Sequence, residues 1–305
     1  MKKFVERITP EGMISRLNEL CVQRSDMRVL RNLLGEQRML EWVHSVGVYE
    51  DEQFRALAPP TPPVELRRIT NAPDLPEFLW RGLIDIEKVM TLYENVIGPT
   101  QLERPRILDF GCGCGRMVRF LSAYSAERSI HACDVNPDHV RWCQENLTDI
   151  QTTQCDVLPP LPYQDQTFDL VYSLSVFTHL SESNADKWLS EMHRVLAPQG
   201  ILIATTSGIS TLEIIRDSVA QQQMFKLDRP VVVDNIGRLK EERFIFYNYD
   251  PDTLNMAKAG EEYGIAFIHP DYLYEEWGSA DFEVVEFLSG GLHGYQDIII
   301  LRRSF

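Results

Sequence analysis

The chain has 305 residues, enough to bury one large core or two modest ones. Hydrophobic residues make up 44% and charged residues 25%, the balance of a globular protein. The formal net charge of −15 argues against a nucleic-acid partner, since such partners select a basic face and no Lys/Arg run supplies one. Two of the six cysteines flank Gly113, and Cys133 and Cys155 each precede an aspartate, which is not the pattern of a disulfide framework. No CxxC pair or Cys/His cluster completes a metal site. There is no signal-peptide pattern at the start and no apolar run long enough for a bilayer, so the expected location is cytoplasmic.

The first hundred residues read as a helical extension. Thr9-Pro10 caps and starts a helix whose Met13, Ile14, Leu17, Leu20 and Cys21 share a face. A second helix is expected from about Asp26 to Val46. The run PPTPP at 59–63 is a stiff connector, and a further helix from about Phe78 to Ile97 leads into Gly98-Pro99. Pattern alone favours packing or dimerisation for these helices over a lid on a site.

Next comes ILDFGCGCGR, 107–116: a buried strand, a loop with glycine at 111, 113 and 115, and then a helix. A glycine turn between a strand and a helix N-terminus lets the backbone approach a ligand that a Cβ would push away. Dinucleotide, flavin and S-adenosylmethionine sites all use such turns. Strand and helix patterns then alternate: SIHACD, a helix from Asn136-Pro137 to Leu147, TTQCD, FDLVYSLS followed by VFTHL, a helix over about 184–196, and GILIATT. That order predicts a doubly wound α/β sheet. Residues 208–262 break the alternation and form an expected cap or interface. Within them a helix is expected near 211–223, and RPVVVDN and RFIFYNY are read as a hairpin around Asn235-Ile236-Gly237. A helix near 270–277 follows, and FEVVEFL and QDIIILR flank a turn too short for anything but antiparallel strands.

Acids fall at 109, 134 and 156, in or at the ends of successive strands, where an open sheet holds its ligand. Asp134 is placed to accept hydrogen bonds from two ribose hydroxyls, and Asp156 from the exocyclic amine of an adenine. One such Asp alone would read as a helix cap. The G-x-G-x-G spacing departs from the G-x-G-x-x-G of dinucleotide-binding dehydrogenases.

With ILDFGCGCGR, ACD at 132–134, QCDVLPPLP at 154–162, FDLVYSLSVFTHL at 168–180, WLSEMHRVLAPQGILIATT and the closing hairpin with Gln296-Asp297, the chain resembles the class I S-adenosylmethionine-dependent methyltransferases. The resemblance covers about 100–207 and, more loosely, 263–303. It implies a seven-stranded, mostly parallel Rossmann-like sheet with an antiparallel last strand in a cofactor domain over 101–305; the N-terminal helical extension or lid over 1–100 and the insert over 208–262, after the fifth strand, lie outside the common core. It implies that Asp109, Gly111, Gly113 and Gly115 cradle the methionine part of S-adenosyl-L-methionine. Asp134 would hold the ribose with Val135 beside the adenine, Asp156 would read the adenine amine with Val157 on the ring, and the Ser173 backbone would lie by the methionine end. Within the family the chain is most similar to enzymes acting on small molecules or sugars in biosynthesis.

A non-acidic oxygen acceptor must lose a proton, work that suits histidine near neutral pH. His179 in FTHL and His293 in GGLHGY are the candidate bases, against plain readings as a packed histidine and a turn residue. Asp271, Tyr272 and Glu275 are weaker candidates. Phe244, Phe246, Tyr247 and Tyr249 would wall an acceptor pocket or, slightly favoured, supply the apolar face of a hairpin or dimer contact. The expected reaction is methylation of a hydroxyl on a small molecule or sugar, without nucleic acid, membrane or metal and with a homodimer possible. N- or C-methylation, transfer of another group, and a non-catalytic interaction module are the alternatives.

Overall fold

The computed structural model describes residues 59–98, 105–121, 129–258, 260, 262–278 and 281–304. The helices expected over 10–21 and 26–46 lie outside the described residues. In chain order the elements are α1 (Val64–Ile69), α2 (Leu75–Ile97), β1 (Arg106–Phe110), α3 (Val118–Leu121), β2 (Ser129–Asp134), α4 (Pro137–Asn146), β3 (Gln151–Gln154) and β4 (Phe168–Ser173). After a 3₁₀ turn, Phe177–His179, come α5 (Glu182–Val195), β5 (Leu196–Ser207), α6 (Ile209–Asp217), α7 (Val219–Phe225) and α8 (Arg229–Glu242). The chain continues through β6 (Phe244–Asn248), α9 (Pro251–Ala257), β7 (Gly264–Ile268), α10 (Pro270–Tyr272) with a π-turn to Trp277, β8 (Phe282–Leu292) and β9 (Gln296–Arg303).

Seven strands form one sheet in the order β3-β2-β1-β4-β5-β9-β8. β1 to β5 pair in parallel, and β9 runs antiparallel to both β5 and β8. This is the expected doubly wound sheet with its reversed last strand. Alternation along each strand builds a core on each face. Ile107, Ile298 and Ile300 face one side, while Leu108, Phe110, Ile299 and Leu301 face the other. Each such side chain contributes roughly 1.5–3 kcal/mol by leaving water.

α2 belongs to the first of these cores. Asp74 accepts from the Glu77 amide at 3.0 Å, Pro76 fits the first turn, and Gly98 at φ 73° ends the helix. Phe78, Leu79, Leu83, Ile86, Val89 and Tyr93 are buried at helical spacing beside Met117, Phe120 and Leu121. A Cβ on Gly82 would stand 2.2 Å from the Arg116 carbonyl oxygen, so α2 crosses the end of the glycine loop with backbone nearly on backbone.

The insert corrects one expectation. RPVVVDN is not a strand: residues 229–242 form α8, and RFIFYNY pairs with β7, from Phe244 against Ile268 to Asn248 against Gly264. Asp228 accepts from the Val231 amide at 3.2 Å and Pro230 fits the first turn, a helix start that three adjacent valines obscure. Val232, Asn235 and Leu239 are the buried stripe. The helix expected near 211–223 is two, α6 and α7, broken at Ser218. Leu212, Ile215, Val232, Leu239, Ile245 and Phe267 give the insert a core of its own. Among the described residues no helix is long and apolar enough to cross a membrane.

Candidate cofactor and acceptor site

The site grows from the turn after β1. The amides of Gly111 and Cys112 both donate to the Cys133 carbonyl, at 2.9 and 3.0 Å, which draws the loop toward the end of β2. Gly113 then donates its amide to Asp134 Oδ2 at 2.8 Å, and Asn136 donates its own to Asp134 Oδ1 at 2.8 Å. Asp134 is thus fixed by two backbone donors while each oxygen keeps a lone pair for a ligand hydroxyl. At Gly113, φ is +54° and a Cβ would stand 2.6 Å from Thr70 Cγ2, so the turn between α1 and α2 lies directly on the loop. Gly115 serves α4 instead: the space of its absent side chain is taken by Leu147.

A cavity of about 900 Å³ opens over this turn. It sits at the upper end of the roughly 300–1,000 Å³ used by single ligands, room for a nucleoside cofactor and a small acceptor together. Of the expected residues Asp109, Gly111, Gly113, Asp134, Val135, Val157 and His179 line it. Gly115, Asp156, Ser173 and His293 do not. Asp156 is exposed between Cys155 and Val157, which do face the cavity, and Ser173 is wholly buried behind Leu174. Asp271, Tyr272 and Glu275 also lie off the wall; Glu275 pairs with Arg243.

Asp109 is 3% exposed, and its Oδ2 has no hydrogen-bond partner among the described residues. Burial pushes its carboxyl up to about 7, with neighbouring Asp134 adding to the rise while the Tyr172 hydroxyl and Arg116 pull the other way. An orphaned carboxylate oxygen on a cavity wall suits the ammonium of an amino acid. With Asp134 ready for ribose hydroxyls and Val135 and Val157 on the wall beyond, these residues fit S-adenosyl-L-methionine.

His179 is fixed by chemistry that a sequence does not reveal. Its Nδ1 lies 2.8 Å from the Gly264 carbonyl, which can only accept, so Nδ1 carries the proton and Nε2 keeps its lone pair. Burial lowers its pKa, leaving the ring neutral near pH 7. Tyr249 and Tyr263 pack against it, ring centroids 5.8 and 5.0 Å away. Both tyrosines line the cavity, as do Met224, Phe225 and Leu227 of the insert. Phe244 and Phe246 pack into the core behind them. Sequence reasoning missed Arg116, Thr178 and Tyr263; for Thr178, beside His179 in FTHL, the signal was there. His293 turns away from the cavity: its Nε2 meets Asp85 of α2 at 2.7 Å.

A glycine loop, an acid locked at the end of β2 and a seven-stranded sheet with a reversed last strand together make the arrangement expected of a class I S-adenosylmethionine-dependent methyltransferase domain. Residues 107–200 match the family model described as a methyltransferase domain. Over 125 residues the chain is 29% identical to a malonyl-[acyl-carrier protein] O-methyltransferase of Halorhodospira halophila, covering 40% of this chain and 42% of that protein. Over 116 residues it is 29% identical to a fatty-acid O-methyltransferase of Mycolicibacterium smegmatis, covering 37% and 41%. The chain thus spans about two fifths of the length of these curated relatives. Among solved structures, the PH0226 protein of Pyrococcus horikoshii OT3 aligns over 72% of this chain and 90% of its own at 17% identity and a TM-score of 0.49.

Proposed function

We propose that this protein transfers the methyl group of S-adenosyl-L-methionine to an oxygen, a hydroxyl foremost, of a small molecule with an apolar or aromatic body. The bound sulfonium supplies an already activated methyl group, so the protein's part is to position, align and desolvate. Asp109, Gly111, Gly113, Asp134, Val135 and Val157 hold the donor. The cap residues Met224, Phe225, Leu227, Tyr249 and Tyr263 enclose the acceptor and exclude water. His179 takes the hydroxyl proton at Nε2.

The observation that carries this reading is the 2.8 Å contact of His179 Nδ1 with the Gly264 carbonyl, on a ring that lines the cavity: Nδ1, which the Tyr249 hydroxyl also approaches at 3.2 Å, is assigned the proton and Nε2 is left to accept. A base so placed contributes roughly 10²–10⁴-fold on a hydroxyl. A carboxylate acceptor, which the names of the two relatives suggest for those proteins, needs no base. The test is a product assay over hydroxyl and carboxyl acceptors with wild type, His179→Ala and Asp134→Ala. Loss of hydroxyl methylation in His179→Ala, with cofactor binding intact, supports the reading. Full turnover without His179 on every accepted substrate removes the base and shifts the acceptor to a carboxylate. Unchanged cofactor affinity in Asp134→Ala overturns the donor assignment.

A further inference from the structure

Asp85 is a carboxylate in the wrong place for a solvent-facing helix residue: it sits on α2 with none of its surface exposed. A buried charge of this kind costs several kcal/mol unless it is paired. Two groups pair it. Arg116, the residue that ends the glycine loop, places a guanidinium nitrogen 3.3 Å from Asp85 Oδ2, and His293, in the turn between β8 and β9, places Nε2 2.7 Å from Oδ1. Three distant stretches of chain meet at one carboxylate: the N-terminal helix, the glycine loop and the closing hairpin.

Only one of the three partners reaches the cavity. Arg116 lines it with 19% of its side chain exposed, and its guanidinium carries five N–H donors. Its charge is felt by Asp109 and by Tyr295, both on the cavity wall. Asp109 and Arg116, at the two ends of the glycine loop, both line the cavity, and a carboxylate and a guanidinium so placed form the complement of an amino-acid zwitterion, the first for the ammonium and the second for the carboxylate. Arg68 and Arg81 also line the cavity; Arg81 pairs with Glu77 at 2.6 Å on an exposed turn of α2, whereas, among the described residues, Arg116 alone of the three stands against a buried carboxylate.

The geometry points to Arg116 as the residue that reads the amino-acid carboxylate of the cofactor, with His293 a positioning residue that holds Arg116 in place through Asp85. The inference rests on the donor assignment above. It gives His293 a task although it stands off the cavity. His293 adopts φ +54°, a conformation of the left-handed region that the hairpin turn imposes and that keeps its ring on Asp85. The ring also stacks on Tyr295, centroids 6.4 Å apart, at 21°.

The test compares two ligands by calorimetry: S-adenosylhomocysteine, which carries the amino-acid group, and 5′-methylthioadenosine, which lacks it. Arg116→Met is expected to weaken S-adenosylhomocysteine by about 10- to 100-fold, the range for a hydrogen bond to a charged group, and to leave 5′-methylthioadenosine unchanged. His293→Asn keeps a residue that tolerates the left-handed turn but is too short to reach Asp85; it should weaken S-adenosylhomocysteine selectively and by less. His293→Gln, whose amide nitrogen can take the place of Nε2, should restore the affinity. His293→Asn in the Arg116→Met background should add nothing. Equal loss on both ligands, or an effect of His293→Asn that survives without Arg116, overturns the proposal. Wild type that binds neither ligand overturns the donor assignment as well; wild type that binds S-adenosylhomocysteine while Arg116→Met binds it as tightly overturns this proposal alone.

Discussion

Asp109 is held in its place against its own preference for water. A carboxyl whose folded pKa is about 7, against an ordinary 3.8, takes up a proton on folding. It therefore adds no penalty at pH values below 3.8, lowers stability progressively as pH rises between the two values, and exacts the whole cost above 7. That cost is about 4 kcal/mol. Asp109→Asn, which removes the charge and keeps the shape, should melt higher than wild type above neutrality, and the difference should vanish in acid. Thermal denaturation across this range checks it; an Asn variant less stable than wild type above pH 7 would show that burial does not dominate. The same proton bears on binding. An ammonium beside Asp109 favours the ionised carboxylate, so the affinity for S-adenosylhomocysteine should fall as pH drops through about 7.

At the scale of elements, α8 gives the sharpest test of how the cap is built. Gly237 is exposed in its interior, and a Cβ added there meets nothing within 4 Å. Gly237→Ala should therefore stabilise the protein by roughly 0.5–1 kcal/mol through helix propensity. Were Asn235-Ile236-Gly237 a hairpin turn, the same change would destabilise, and chemical denaturation separates the two signs. The strands β1, β2, β4, β5 and β9 could be read from sequence because strands buried on one or both faces write long apolar runs, punctuated by the glycine loop, Asn136-Pro137 and the closing turn. α8 was misread because Val231, Val232 and Val233 satisfy a strand's preferences as well as a helix's, and the Asp228–Pro230 start was outweighed. The place of Asp109, Asp134 and His179 on the cavity wall was legible because each lies in or just beyond the C-terminal end of a parallel strand. The partners of His293 and Arg116 were not, since α2 reaches them only through tertiary packing that no spacing along the chain encodes.

Considered whole, the molecule closes its cavity with two unequal walls. α2 packs into the main core through Phe78, Leu79, Ile86 and Tyr93, so the α1–α2 turn that carries Thr70 onto the glycine loop is firmly anchored. The cap side is tied across the site by polar contacts at its edge: Lys258 to Asp138 at 2.6 Å, Ser181 to Glu262 at 3.0 Å, and Lys226 to Asp250 at 2.7 Å within the cap itself. Exposed ion pairs of this sort contribute about 0–1 kcal/mol each and weaken with salt. Since Phe244, Ala266 and Ile268 anchor the β6–β7 pair in the core on the sheet's other face, the expectation is that the 249–258 edge of the insert loosens to admit ligands while α2 stays. Hydrogen exchange should find the amides of α2 already protected in the free protein and little changed by S-adenosylhomocysteine. Residues 249–258 should exchange faster when free and gain protection on binding. Added salt should speed exchange in 249–258 without touching α2. If α2 exchanges as readily as the cap and gains as much from the ligand, the N-terminal wall opens too, and the division of labour proposed for the two walls is wrong.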